Sequence, residues 1–347
     1  MLRVGVLGAC GYAGGELVRI LLKHPEARLT HVADEMFKGR PIGDAFPSLK
    51  GFDMPLCEPL DPDAAADKAD VVFLVQHNGW AMEVAPKLMT AGKKVIDFSA
   101  DFRFRDPGVY NEWYKTQHAS ADLSRTCVYG LPELKAETIK PAALVGNPGC
   151  YPTGAILGLA PLVANRLIDT STIVIDSKSG VSGAGRSKLE LGFLYSEVDG
   201  SVRPYNIGTH RHTPEIEQEL SELAGSPVVV SFTPHLVPMA RGILTTAHAS
   251  LAKPTDTAKL VNLYRDFYEK AHFVIVLDEG DYPATKSTLG SNYCHIGMKV
   301  DARTGRAVVV SAIDNLVKGA AGQAVQNMNL MCDLDERAGL DFPAIYP

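Results

Sequence analysis

The residues best suited to covalent chemistry lie in Gly146-Asn147-Pro148-Gly149-Cys150-Tyr151-Pro152-Thr153-Gly154. One cysteine sits on a tight turn of glycine and proline. It is followed by a run with helical spacing, Ala155, Ile156, Leu159 and Val163. Pro152 suits a first helical position, because the amide it lacks has no partner there in any case. Cys150 then stands at the positive end of a helix dipole, which favours the nucleophilic thiolate over the thiol. The plainer reading is a buried cysteine acting as a small hydrophobe. The flanking glycines argue against it, since Gly149 removes a side chain beside the sulfur and opens the backbone to a ligand.

A second constellation is Thr209-His210-Arg211-His212-Thr213-Pro214-Glu215-Ile216, with two of the ten histidines. Thr213 is predicted to cap a helix starting at Pro214, with Glu215 in its first turn. A histidine just ahead of a helix suits general acid/base work near neutrality. An exposed loop is an equal alternative at this point. A metal site on the His210/His212 pair lacks the carboxylate or cysteine cluster that would complete it, so no metal is expected. The stretch Ser177 to Arg186 leaves a strand and is dense in small residues; its amides and hydroxyls suit an anion, with Arg186 as a bidentate partner. Arg103 follows the end of a predicted parallel strand, where α/β ligands bind, and Arg241 lies among the prolines and glycine of 234–242. Three arginines beside such turns imply a substrate with more than one negative group.

These residues need elements to position them. Residues 3–7 read as a strand, and Gly8-Ala9-Cys10-Gly11-Tyr12-Ala13-Gly14 then opens a helix through Glu16–Leu22. Glycines at this junction let amides approach a pyrophosphate at the helix N-terminus, although the spacing is G-x-x-G-x-x-G. The second strand ends at Asp34-Glu35, where an acid usually binds the ribose hydroxyls of NAD. Lys38 and Arg40 follow and suit a 2′-phosphate, so these residues leave the choice of cofactor open. That second strand, 29–33, and further strands at 71–75, 94–98 and 142–145 alternate with helices, including one at 80–91, which predicts a parallel sheet. After Cys150 the strands come closely, at 172–177, 227–233, 243–250, 273–277, 295–300 and 306–313, with helices at 256–271 and 315–332. Their apolar/polar alternation predicts a mixed, largely antiparallel sheet. The fold class is thus α/β, a Rossmann-like domain followed by an α+β domain.

The 347 residues suffice for two domains with their own cores. The net charge of −6, without a basic stretch interleaved with aromatics, disfavours a nucleic-acid partner. No apolar run is long enough to span a membrane. The start Met1-Leu2-Arg3 leads straight into a strand, which predicts no signal or transit peptide. The six cysteines are scattered without a C-x-x-C pair, which fits a reducing cytoplasm rather than a disulfide framework or zinc site.

Taken together, the motifs resemble the N-acetyl-gamma-glutamyl-phosphate reductase family of arginine biosynthesis, within the semialdehyde dehydrogenase superfamily. The resemblance runs almost end to end. It is carried by Gly8 to Leu17, Asp97 to Arg103, Tyr129 to Glu133, Gly149 to Thr153, Ser179 to Arg186, His210 to Ile216, Phe232 to Leu236, Arg241 to Leu244 and Asp314 to Ala321. It implies that Cys150 attacks an acyl phosphate, that phosphate leaves, and that a nicotinamide reduces the resulting thioester to a semialdehyde. His210 would protonate the developing alkoxide, with Glu215 orienting it and His212 as the fallback. NADP (NADPH) is the implied cofactor, held by Gly8, Gly11, Tyr12, Ala13, Gly14, Ser99, Ser182, Gly183 and Asn315. Arg103, Ser179, Arg186 and Arg241 would bind the substrate. The implied division is a dinucleotide-binding domain at 1–148, a catalytic and dimerisation domain at 149–314, and a C-terminal segment at 315–347 whose helix returns to the first domain. A homodimer or homotetramer is implied. Two stretches depart from the family pattern: Ala33-Asp34-Glu35, usually rich in serine and threonine, and Gln76-His77-Asn78-Gly79-Trp80, commonly Pro-His-Gly-x-Ser. Competing readings are aspartate-semialdehyde dehydrogenase, a lysine-pathway homologue acting on a carrier protein, which the acidic chain disfavours, and a nucleotide-binding sensor without catalysis.

Overall fold

Short apolar runs such as Val71-Val72-Phe73-Leu74 become strands buried on both faces, because β-branched and aromatic residues suit a sheet covered by helices. In the computed structural model, which describes residues 1–187 and 190–346, they build the first of two units. Its elements are β1 (Leu2–Leu7), α1 (Tyr12–Leu21), β2 (Ala27–Ala33), α2 (Pro62–Lys68), β3 (Val71–Leu74), α3 (Ala81–Thr90), β4 (Lys94–Asp97), α4 (Pro107–Tyr114), α5 (Ala121–Thr126), β5 (Val128–Tyr129), α6 (Pro132–Ile139) and β6 (Leu144–Gly146). The strands are all parallel, in the order β2-β1-β3-β4-β6-β5. The order reverses between β1 and β3, which makes the crevice at their C-terminal ends the place for a ligand. The glycine turn leaves β1 there, residues 76–80 leave β3, and residues 98–103 leave β4.

The second unit begins with α7 (Cys150–Ala164), followed by β7 (Val174–Ser179), α8 (Tyr195–Val198), β8 (Arg203–Pro204), α9 (Thr213–Ala224), β9 (Ser231–Leu236), β10 (Ile243–Ser250), α10 (Thr257–Phe267), β11 (Val274–Val276), β12 (Cys294–Asp301) and β13 (Arg306–Ile313). Its sheet runs β11-β12-β13-β10-β7-β9-β8 and is mixed: β7/β9 and β11/β12 are parallel, the other pairs antiparallel. Along β10 buried and half-buried residues alternate strictly, as a sheet with one covered face requires. The cover on that face includes α7, which is buried along almost its whole length. The Ser311 hydroxyl on β13 donates to Gly154 O on α7 at 2.8 Å.

The chain then returns to the first unit as α11 (Gly322–Met331). The first unit comprises residues 1–148, 185–187 and 320–341; the second holds, of the described residues, 149–184, 190–319 and 342–346. The returning segment therefore starts five residues later than the expected 315. Asn315 stays with the second unit because its side chain accepts the Gly242 amide at 2.7 Å and donates to Ser182 Oγ at 3.0 Å. Two predicted elements shift as well. The strand expected at 227–233 is β9, starting only at Ser231. The Val228 amide goes instead to Ser221 Oγ and the Val230 amide to Glu217 Oε1, both on α9. The helix expected at 315–332 starts as a π-helical turn, Val317–Ala321, because Asp314 accepts the Leu316 and Val317 amides. Among the described residues no helix is long and apolar enough to cross a membrane.

Candidate active site

The glycine turn of the first unit fits a dinucleotide. Gly8 has φ +99°, and a Cβ there would stand 2.1 Å from Val75 O. A Cβ on Gly14 would stand 2.4 Å from Gly8 O, so both positions let backbone close on backbone. Gly11 is the N-cap of α1, without a side-chain cap and with open space where a Cβ would go. Tyr12 and Ala13 follow, exposed and half-buried, and the first amides of α1 are left for an anion such as a pyrophosphate. The acid at the end of β2 is occupied: Asp34 accepts the Cys10 amide at 3.1 Å and the Met36 amide at 3.0 Å. Arg186, expected beside the substrate, belongs to this first unit. It donates to Cys10 O at 3.2 Å, and its guanidinium lies 4.9 Å from the centre of the Phe46 ring.

The loop after β4 is a closed polar network. Ser99 gives its amide and hydroxyl to the Asp97 carboxyl at 3.0 and 2.7 Å, and its Oγ accepts the Asp101 amide. Full burial, and then the charge of Asp101, push Asp97 up to about 7. Asp101 accepts the Gly79 amide at 2.8 Å and the Tyr110 hydroxyl at 2.9 Å, fixing the turn after β3. Arg103 is buried and commits Nε to Asn147 O and Nη2 to Phe98 O, each at 2.7 Å. It therefore ties the loop after β4 to the loop after β6. Asp97, Asp101 and Asn147 were not assigned roles from the sequence. The signal was there as acids two residues either side of a serine at the end of a strand.

In the second unit α7 starts at Cys150 itself, two residues before Pro152, with Gly149 as N-cap. The proline amide falls among the first four, which have no helical acceptor, so its absence costs nothing. The Gly149 amide donates to Glu215 Oε1 at 2.7 Å, and Glu215 is fully buried. A Cβ on Gly149 would stand 2.6 Å from His212 Nε2, and one on Gly319 would stand 2.8 Å from Cys150 Cβ. The turn that carries Cys150 thus packs against the imidazole of His212 at Gly149 and against the π-helical turn at Cys150. His212 occupies the N-cap of α9, displacing the expected Thr213, which becomes its first residue.

His210 is buried among the rings of Tyr151, Tyr205, Phe232 and His212. Burial, then the neighbouring His212, push it down to about 3, against the opposing pull of Glu215. Its Nδ1 accepts the His212 amide at 3.1 Å, so the neutral ring carries its proton on Nε2. Glu215 acts on His210 through charge, and its Oε1 accepts the amide of the cysteine turn. The structure thus brings Cys150, His210, His212 and Glu215 into one cluster. Tyr151 and Tyr205 share a hydroxyl contact at 2.9 Å. Burial, and then each other's proximity for Tyr151, hold both phenols protonated.

Ser179, Ser182, Gly183, Arg241 and Asn315 form a second group in the same unit. Ser179 is buried with its hydroxyl on Gly180 O. Asn315 bridges Ser182 and Gly242. Arg241 is paired with the fully buried Asp314, Nε to Oδ2 at 3.0 Å and Nη2 to Oδ1 at 3.0 Å. Asp314 also takes the Gly290 amide at 2.7 Å, so the arginine is aimed by a rigid acid. Among the described residues no group of three histidine, cysteine or acidic side chains is arranged to hold a metal ion.

Residues 3–142 match the model of the semialdehyde dehydrogenase NAD binding domain, and residues 150–315 that of the semialdehyde dehydrogenase dimerisation domain. The N-acetyl-gamma-glutamyl-phosphate reductase of Geobacter metallireducens is 54% identical over 349 residues, and that of Desulforamulus reducens 52% over 347, each covering 100% of both chains. The chain belongs to the N-acetyl-gamma-glutamyl-phosphate reductase family. Solved structures of lower identity share its fold. Aspartate semialdehyde dehydrogenase II from Vibrio cholerae has a TM-score of 0.73 at 18% identity, covering 96% of this chain and 99% of its own. Aspartate semialdehyde dehydrogenase with NADP from Candida albicans has a TM-score of 0.69 at 18% identity, covering 98% and 99%. As a member of the reductase family, the chain places Cys150 at the first residue of the dimerisation-domain match.

Proposed function

We propose that the protein reduces N-acetyl-L-glutamyl 5-phosphate to N-acetyl-L-glutamate 5-semialdehyde with NADPH, releasing phosphate, as a step of arginine biosynthesis. The observation that carries this reading is Cys150 as the first residue of α7, on a turn pinned by Glu215 and packed against His212, with His210 on the ring of the next residue, Tyr151. Full-length relatives of this name support the substrate.

The helix N-terminus favours the Cys150 thiolate. The thiolate attacks the acyl carbon, the bond from that carbon to the phosphate oxygen breaks, and inorganic phosphate leaves a thioester on the sulfur. When bound, NADPH supplies the hydride that reduces the thioester carbon. Negative charge then develops on the former carbonyl oxygen, and His210 offers its Nε2 proton to it. A neutral imidazole kept so by burial is a donor that needs no prior protonation. Collapse of the thiohemiacetal returns the hydroxyl proton to His210 Nε2, breaks the carbon–sulfur bond, expels the thiolate and frees the semialdehyde. Arg241 on Asp314, Ser179 and Arg103 serve the anionic groups of the substrate. Gly8, Gly11, Gly14, Ser99, Ser182, Gly183 and Asn315 serve the cofactor. The chain acts as a homodimer or homotetramer, a reading supported by the dimerisation-domain match.

The test runs the reaction backwards. The protein is mixed with N-acetylglutamate semialdehyde, phosphate and NADP, and the appearance of reduced nicotinamide is followed, in parallel with NAD and with aspartate semialdehyde. Turnover is expected with the acetylated substrate and NADP. Cys150→Ser should lower kcat by roughly 10³-fold or more. Turnover of aspartate semialdehyde alone would overturn the reading.

A further inference from the structure

We propose that Arg186 is the residue that selects the 2′-phosphate of the dinucleotide, a role that rests on the proposed use of NADPH. An acid at the end of the second Rossmann strand ordinarily binds the ribose hydroxyls and repels a 2′-phosphate. Asp34 does not stand free for that purpose. One of its oxygens takes the Cys10 amide and the other the Met36 amide, so it braces the glycine turn against the loop after β2. The carboxylate that would favour NAD is turned into a structural strut.

Against the same turn stands a guanidinium. Arg186 Nη1 donates to the carbonyl of Cys10, the residue whose amide Asp34 holds. Its guanidinium lies 4.9 Å from the Phe46 ring centre and 5.7 Å from that of Phe37. Phe46 is itself fixed by packing on Gly15 of α1, where a Cβ would stand 2.5 Å from the ring. The neighbouring cations differ in having carboxylate partners, although Arg40 shares the Phe37 ring at 5.3 Å. Lys38 pairs with Glu35 at 3.4 Å and Arg40 with Asp44 at 3.0 Å, both mostly in water. Arg186 has no carboxylate partner among the described residues; its partners are a carbonyl and two aromatic faces. Such partners orient a guanidinium without neutralising it, and leave further N–H donors for a phosphate dianion. The position is beside the turn that receives the pyrophosphate and, through Cys10, beside Asp34 at the end of β2, where a Rossmann unit meets the 2′ position of the adenosine ribose.

The test compares two fragments that differ by this phosphate, 2′,5′-ADP and 5′-AMP, titrated calorimetrically into the full chain, Arg186→Ala and Arg186→Lys. The native protein should bind 2′,5′-ADP at least about 10-fold tighter than 5′-AMP, as expected for a charge-assisted contact. Arg186→Ala should bring that ratio near unity with the 5′-AMP affinity unchanged, and Arg186→Lys should keep part of it. A native-like ratio in Arg186→Ala overturns the role of Arg186 and leaves NADPH use standing. An equal loss for both fragments overturns it too, since the residue would then be structural. No preference in the native protein overturns NADPH use itself, and this inference with it.

Discussion

His210 is a histidine whose surroundings forbid its charge. Burial and His212 hold its folded pKa at about 3, well below the usual value of 6.5. Between those two values the unfolded chain binds a proton at this position and the folded chain does not. Stability from this residue is therefore complete above the upper value and is lost as pH falls toward the lower one. Three other histidines, the buried His24 and His31 and the half-buried His295, are lowered mainly by desolvation and act in the same direction. A comparison with His210→Gln cancels them. Glutamine can accept the His212 amide but takes up no proton. Thermal midpoints of both proteins, measured from about pH 8 to about pH 4, should show the advantage of the native chain shrinking as pH falls. Parallel curves would mean that His210 already carries its proton when folded. The same neutrality predicts that the kcat/KM profile has no inflection of His210 near its unperturbed value.

The cysteine is made a site by the elements that converge on it. The π-helical turn Val317–Ala321 brings Gly319 against Cys150, and Asp314 starts that turn by accepting two amides while it aims Arg241. One residue change tests this coupling. Gly319→Ala puts a methyl group 2.8 Å from Cys150 Cβ, so the turn or the start of α7 must shift. Overpacking of this kind costs about 1–3 kcal/mol, and the displaced nucleophile should lower kcat by roughly 10- to 100-fold. Urea titration and steady-state kinetics read the two effects, and unchanged kcat would show that the turn does not position the sulfur. Elements like these also mark the limit of what the sequence shows. Apolar runs named the strands of the parallel sheet, and Gly149-Cys150 named the start of α7, because both signals are local. The start of β9 was misread because Val228 and Val230 look like strand but give their amides to Ser221 and Glu217, a tertiary choice. The hydrogen bond from the Gly149 amide to Glu215 was not legible for the same reason: the two residues lie 66 positions apart and only folding brings them together. Arg186 looked like part of the small-residue loop it ends, and only the fold assigns it to the glycine turn of the first unit.

On the scale of the whole molecule, the chain leaves the first unit at residue 148 and comes back to it at 320. The return is not decoration on a finished domain. Asn327 on α11 donates to Gly130 O at 2.8 Å and Asn147 Oδ1 at 3.1 Å, and Asn329 Oδ1 meets His24 Nε2 at 2.9 Å. Val325, Met328 and Leu340 are fully buried and Met331 nearly so. Side chains of this kind contribute about 1.5–3 kcal/mol each when buried. Four of them rival the about 5–15 kcal/mol that holds an entire domain. Residues 1–148 alone should therefore fail to fold, however complete their parallel sheet looks in the sequence. Joining 320–341 to residue 148 through a flexible glycine-rich linker should restore folding, because the missing face is supplied within the same chain. Circular dichroism during thermal melting distinguishes the two: no cooperative transition for 1–148, and a cooperative one for the fusion. A cooperative melt of 1–148 on its own would show that the returning segment is an accessory, and that the dinucleotide-binding unit ends where its sheet ends.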